Sequence, residues 1–152
     1  MKPSTVRPVA LCVIRRNQEI LVQEGYDSIA NQLFYRPPGG GIEFGEYSWD
    51  AVRRELKEEL NLEIDNLDFM GALENVFTYE GLPHHELIFL FAGESDDSVL
   101  LQLDTLYGIE SDGSEYKAVW MPISTFQKGK AILYPDGLLD MLTSPVLVGA
   151  RR

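Results

Sequence analysis

The sequence predicts an α/β fold in one domain, with mixed strands and helices packed on the sheet. Three observations predict it. Apolar runs of strand length, Val9–Ile14 and Ile20–Glu24, flank the polar turn RRNQE and read as a hairpin. Ser48 to Leu60 contains no Gly or Pro and repeats apolar residues at helical spacing. The 152 residues show no repeat, low-complexity tract or linker, so one domain is expected to span 1–152, long enough to bury a real core.

Taken in order, Val9–Ile14 reads as a buried strand, and Cys12, the only cysteine, as a small buried side chain within it. Gly25–Gln32 reads as a loop. The run LFYR is extended and ends at Pro37-Pro38, which bias the preceding residue away from helix. Gly39, Gly40 and Gly41 read as a loop. Ser48 then suits a helix N-cap and Asp50 the first turn. Trp49, Val52, Leu56 and Leu60 form the apolar stripe, and Asn61 suits a left-handed helix end. LEIDNLDFMGALENVFTY is strand material broken near Asp68–Gly71. It is joined through the turn EGLPHH to ELIFLFAGE as a second hairpin, with His84 and His85 on the turn's surface. Ser95–Gly113 is mixed. EYKAVWMPI is a strand ending at Pro122, Ser124–Lys128 a short helix, and YPDGLLDMLTSP a final helix between Pro135 and Pro145.

Apolar content of 45 % and charged content of 24 % are ordinary for a globular protein, but the net charge is −11. No apolar run approaches the roughly 20 residues of a membrane span. The N-terminal apolar patch is too short for a secretory leader, so a cytoplasmic protein with no membrane partner is expected. Nucleic acid is disfavoured as a partner, because the basic residues are scattered apart from Arg15-Arg16, Arg53-Arg54 and Arg151-Arg152. If so acidic a chain handles phosphates, a divalent cation must mediate.

A helix advances about 100° per residue, which puts the stripe in a sector roughly 80° wide. Glu55, Glu58 and Glu59 occupy the sector beside it, also about 100° wide. Carboxylates three and four residues apart repel by a few tenths of a kcal/mol per pair. Such a cluster at the edge of a core makes sense when a hard cation joins it, Mg²⁺ first and Mn²⁺ next.

The glycines and this helix stand in a fixed relation: Gly40, five residues, Glu46, seven residues, Arg54-Glu55, Leu56, Lys57, Glu58-Glu59, Leu60, Asn61, Leu62. Gly40–Leu62 resembles the Nudix box of the Nudix hydrolases, G-x5-E-x7-R-E-U-x-E-E-x-G-U with U aliphatic. One defined position departs, where Asn61 replaces Gly. A chance match is on the order of one in ten thousand or rarer at ordinary residue frequencies.

The resemblance implies a Nudix-type α/β/α sandwich with a central mixed sheet flanked by helices. It also implies Mg²⁺-dependent hydrolysis of a nucleoside diphosphate linked to another moiety, such as a nucleotide sugar or ADP-ribose. By family position, Glu58 and Glu59 are the main metal ligands, joined by the Gly39 carbonyl, with Glu55 as ligand or general base. Glu46 is an accessory ligand or support, and Arg54 orients a glutamate. Gly40, Gly41, Tyr35 and Arg36 are candidate substrate contacts. Glu110, Asp112 and Glu115 are candidates for a further acid outside the box. Two other functions stay open: nucleoside triphosphate pyrophosphohydrolysis, and ligand sensing without turnover. A homodimer is among the expected states, since many family members dimerise.

Overall fold

The computed structural model describes residues 4–144, so Pro145 and the pair Arg151-Arg152 lie outside the described residues. Eight strands form one mixed sheet: β1 Val6–Arg16, β2 Glu19–Asp27, β3 Gln32–Arg36, β4 Gly39–Gly41, β5 Asn66–Tyr79, β6 Leu82–Glu94, β7 Thr105–Ile109 and β8 Glu115–Pro122. Four helices accompany them: α1 Ser48–Leu60, α2 Ser98–Gln102, α3 Ile123–Gln127 and α4 Leu138–Thr143. The strand order is β5-β6-β1-β2-β8-β7, with β4 added to β1 and β3 to β2. Only β1 and β6 run parallel, Val6 beside His85 through Ile14 beside Gly93.

The central strand is buried on both faces, which is why its apolar run is unbroken. Ala10, Cys12 and Ile14 join one core with Val52, Leu56 and Leu60 of α1 and Leu100 of α2. Val9, Leu11 and Val13 join a second core with Ile123 and Phe126 of α3 and Leu138 of α4. Helices therefore cover both faces of a mixed sheet, giving the expected three-layer sandwich. Cys12 is buried and free, and burial pushes its thiol up to about 12, which leaves it inert. Among the described residues, no helix is long and apolar enough to cross a membrane.

The first hairpin forms, but β1 and β2 pair only at Arg15–Ile20 and Arg16–Glu19. Beyond that the two strands part. The freed edge of β1 takes up Gly39–Gly41, and that of β2 takes up Gln32–Arg36. A V-shaped opening results between them.

Several local expectations change. The three glycines are a strand and not a loop, because their backbones pair with Val9, Ala10 and Leu11. Gly25–Asp27 continues β2, since Gly25 faces Phe34 and Asp27 faces Gln32 in the ladder. His84 and His85 lie on β6, beyond a turn reduced to Glu80 and Gly81. The break in β5 is a bulge between Phe69 and Gly71. The mixed segment after Ser95 holds α2 and β7.

In α1 the N-cap is Tyr47 and not Ser48, and it makes no side-chain cap. Asn61 does end the helix in the left-handed conformation, its amide donating to the Lys57 carbonyl and the Leu62 amide to that of Leu56. The buried positions are Ala51, Val52, Leu56 and Leu60. Trp49 is 43 % exposed and stacks on Tyr47 at 4.4 Å. The buried stripe thus crosses the helix obliquely, and Ala51 takes the place expected of Trp49. Leu56→Ala should cost about 2–5 kcal/mol of stability through the cavity it leaves. Trp49→Ala should cost about 1 kcal/mol or less. Urea denaturation followed by circular dichroism checks both, and equal losses would contradict this helix orientation.

Candidate active site

Helix α1 lies against β4, and one side chain ties the two together. Arg54 donates to both oxygens of Glu46 (2.6 and 3.1 Å), to Glu55 (3.0 Å), to Glu58 (3.2 Å) and to the Gly41 carbonyl (3.0 Å). The hydrogen bond from Arg54 holds the Glu46 carboxyl below its usual range, and Glu46 also accepts from the Glu43 amide. Glu46 is therefore engaged by Arg54 and stands as a support. Glu58 is 57 % exposed and shares the Arg54 Nη1 donor with Glu55.

The opening between the parted strands is a cleft of about 550 Å³. Glu55 and Glu59 reach it from α1, over Gly39, Gly40 and Gly41. A Cβ on Gly40 would collide with the Glu55 carboxyl group, and one on Gly39, which has φ +150°, would strike the Ala10 carbonyl. The side-chain-free strand is what lets the carboxylates lie down on the sheet. Tyr116 of β8 donates to Glu59 at 3.3 Å.

Glu110, just after β7, and Glu115, the first residue of β8, also line the cleft. Gln23 donates to Glu110 at 2.6 Å. Asp112 does not line it. Its carboxylate instead accepts from the Ser114 amide (2.9 Å) and hydroxyl (2.6 Å), closing the turn. Arg36 lines the cleft. Tyr35 is buried in the second core, its hydroxyl donating to Glu24 at 3.2 Å, and it does not reach the cleft.

Several lining residues carry no motif. Tyr116 and Gln23 hold carboxylates through hydrogen bonds. Arg7, Glu86 and Asn75 line the middle of the cleft. The far end is aromatic: Phe77 stacks on His84 at 5.2 Å, and Phe34 sits edge-on to Tyr79 and Tyr134 at 5.8 and 5.6 Å. Strand alternation is the one signal that groups some of these, because Asn75, Phe77 and Tyr79 share a face of β5.

Burial, then the neighbouring Glu55, push the Glu59 carboxyl up to about 8, while the Tyr116 hydroxyl pulls it down. Among the described residues, no three acidic, histidine or cysteine side chains converge into a ready cage. That donor set still suits Mg²⁺, which takes one or two carboxylates and fills its octahedron with waters and substrate oxygens. Glu55 and Glu59, side by side and sharing unfavourable charge, are the carboxylates in the cleft that would fit such an ion.

A raised carboxyl gives its stability below the ordinary glutamate range and loses it as pH climbs toward about 8. Compared with a Glu59→Gln variant, the metal-free protein should therefore lose melting temperature from about pH 5 to about pH 8. Mg²⁺ should raise the melting temperature more at about pH 8.5 than at about pH 6, because it competes with a proton at low pH. Calorimetry across that range checks both, and parallel curves for protein and variant would contradict the assignment.

A NUDIX domain model matches residues 5–140. An RNA pyrophosphohydrolase of Hydrogenovibrio crunogenus is 28 % identical over 119 residues, covering 70 % of this chain and 72 % of the relative. Among solved structures, a NUDIX hydrolase from Nitrosomonas europaea superimposes with a TM-score of 0.61 at 18 % identity, covering 91 % of this chain and 86 % of that one. The E. coli ORF135 protein gives 0.60 at 22 % identity, covering 93 % and 91 %. The structural likenesses speak for the fold. The family model spans most of the chain, and the box lies where α1 meets the glycine strand: the chain belongs to the Nudix family of hydrolases.

Proposed function

We propose that this hydrolase cleaves the diphosphate of a nucleoside diphosphate linked to another moiety, with Mg²⁺ as cofactor and Mn²⁺ as a substitute. One observation carries the reading. A single cleft has a carboxylate pair at one end and aromatic rings at the other. Rings suit the flat face of a nucleobase, and carboxylates suit the cation that accompanies a diphosphate.

In this reading Glu55 and Glu59 hold the ion, with the Gly39 carbonyl beside them and Glu58 close enough on the helix to join. When bound, Mg²⁺ supplies neutralisation of the phosphoryl oxygens and a water acidified toward hydroxide. Should Glu58 take the place of Glu55 beside the ion, Glu55 would be free to accept the proton of the attacking water. Arg54 fixes the Glu55 carboxylate by the 3.0 Å hydrogen bond, and Tyr116 steadies Glu59. Glu110 and Glu115 are the further acids closest to this task, and Gly40 and Gly41 line the path of the diphosphate.

A second reading follows from the relatives bearing the name RNA pyrophosphohydrolase. In it the substrate is the phosphorylated 5′ end of an RNA. The cleft argues for the smaller ligand, since seven carboxylates and only two guanidiniums line it and a strand of phosphates would be repelled.

Product analysis over nucleotide sugars, ADP-ribose, nucleoside triphosphates and 5′-triphosphorylated RNA, with Mg²⁺ and Mn²⁺, tests the assignment. Two phosphate-bearing products from a diphosphate diester are expected. Glu59→Gln should lower kcat by about two orders of magnitude or more while keeping the fold. Undiminished turnover in that variant would sink the metal-site assignment. Release of pyrophosphate from triphosphates or RNA alone would replace the substrate class.

A further inference from the structure

The middle of the cleft holds two guanidiniums with their hydrogen bonds unspent. Arg7 and Arg36 each lie 3.6 Å from a different oxygen of Glu86. That is an ion-pair distance, too long for a hydrogen bond. Neither guanidinium donates to any other group among the described residues, and Glu86 Oε1 has no hydrogen-bond partner. The Glu86 side chain is only 4 % exposed, while that of Arg7 is 59 % exposed.

One arginine in bidentate contact would suffice to neutralise a buried carboxylate, and that is the usual geometry. Two arginines held just out of range leave one net positive charge and two sets of free N–H donors facing the cleft. Asn75 stands across from Glu86 in the β5–β6 ladder. It is 4 % exposed, lines the cleft, and makes no side-chain hydrogen bond among the described residues. Its amide opens onto the cleft, where a ligand can serve it.

The position of this group orders the cleft. Glu86 and His84 share a face of β6, and His84 stacks on Phe77 at the aromatic end. On the other side, Arg36 is near enough to feel Glu59 and Glu110. The guanidiniums thus lie between the rings and the carboxylate pair.

We propose that Arg7 and Arg36, suspended over Glu86, form an anion subsite for the nucleoside-side phosphoryl group of a diphosphate diester. The inference rests on the pyrophosphohydrolase reading and deepens it. Each phosphoryl of such a diester carries a single negative charge, which the net single positive charge of the Arg7–Glu86–Arg36 group matches. A triphosphate brings more negative charge to a cleft already rich in carboxylates, which one net positive charge does not offset.

Calorimetric binding in EDTA, where no hydrolysis occurs, tests this with adenosine, ADP-ribose and ATP as probes. The wild-type protein should bind ADP-ribose at least about 10-fold more tightly than adenosine, the scale of a charge-assisted pair. Arg7→Gln and Arg36→Gln should each lose most of that difference and leave adenosine affinity unchanged. Glu86→Gln should improve ATP relative to ADP-ribose. If Arg36→Gln fails to fold by circular dichroism, Arg36→Lys, which keeps charge but not the planar fork, takes its place with an intermediate loss expected. Wild-type ADP-ribose affinity in the arginine variants, or a wild-type protein indifferent between ADP-ribose and adenosine, would overturn the subsite. Turnover is not read, so a chain that hydrolyses no diphosphate diester would overturn the pyrophosphohydrolase reading and leave this result standing.

Discussion

The site depends on one guanidinium. Arg54 joins the helix, the glycine strand and the loop between them by bonding to Glu55, Glu58, the Gly41 carbonyl and Glu46. An isolated carboxylate bond of this kind near the surface contributes little. Here several share one planar fork in a partly buried place, where geometry and charge reinforce each other. The fork fixes the rotation of α1 against the sheet, and that rotation decides which glutamates face the cleft. Lysine, with a single point of charge, could not hold four partners at once.

The second constraint is electrostatic. A chain of net charge −11 gathers more carboxylates where it is meant to meet a polyanion. Burial beside Glu55 makes full ionisation of Glu59 costly, so the pair is poised to take up a proton or a cation. A cation is the better partner, because it brings two charges and keeps coordination positions for substrate oxygens. The same acidity works at longer range as a filter. Away from the Arg7–Arg36 pair, phosphates that arrive without a metal are repelled by the carboxylates, and highly charged ones most of all.

Much of this was legible in the sequence. The register of glycine, arginine and glutamates from Gly40 to Leu62 is local, and local spacing survives folding unchanged. The two-faced burial of β1 was legible as an unbroken apolar run. What failed depended on partners distant in the chain. The glycines became a strand because β1 had a free edge to offer, which no residue near them signals. Trp49 gave way to Ala51 because the first turn of α1 leaves Trp49 stacked on Tyr47 outside the core, while the wheel assumes that every turn is equally covered. The wheel did contain the distinction between Glu58 and Glu59, since Glu58 lies farther from the apolar sector. Tyr35 looked like a ligand contact because of its place before the prolines, yet the pleat turns it into the second core while Arg36 faces the cleft. Tyr116, Arg7 and Glu86 have no motif at all, and only the ladder of paired strands brings them in.

The parting of β1 and β2 has a kinetic consequence. The walls of the cleft come from Arg7 near one end of the chain and Tyr134 near the other, and its floor needs Val6 to lie beside His85. Such pairings close long loops, and their entropy must be spent before any reward arrives. The hairpin at Arg15–Arg16 can form early and alone, but the cleft cannot. Ligand binding is therefore a late property of the folding chain, and a half-made polypeptide would carry the whole box while lacking the site.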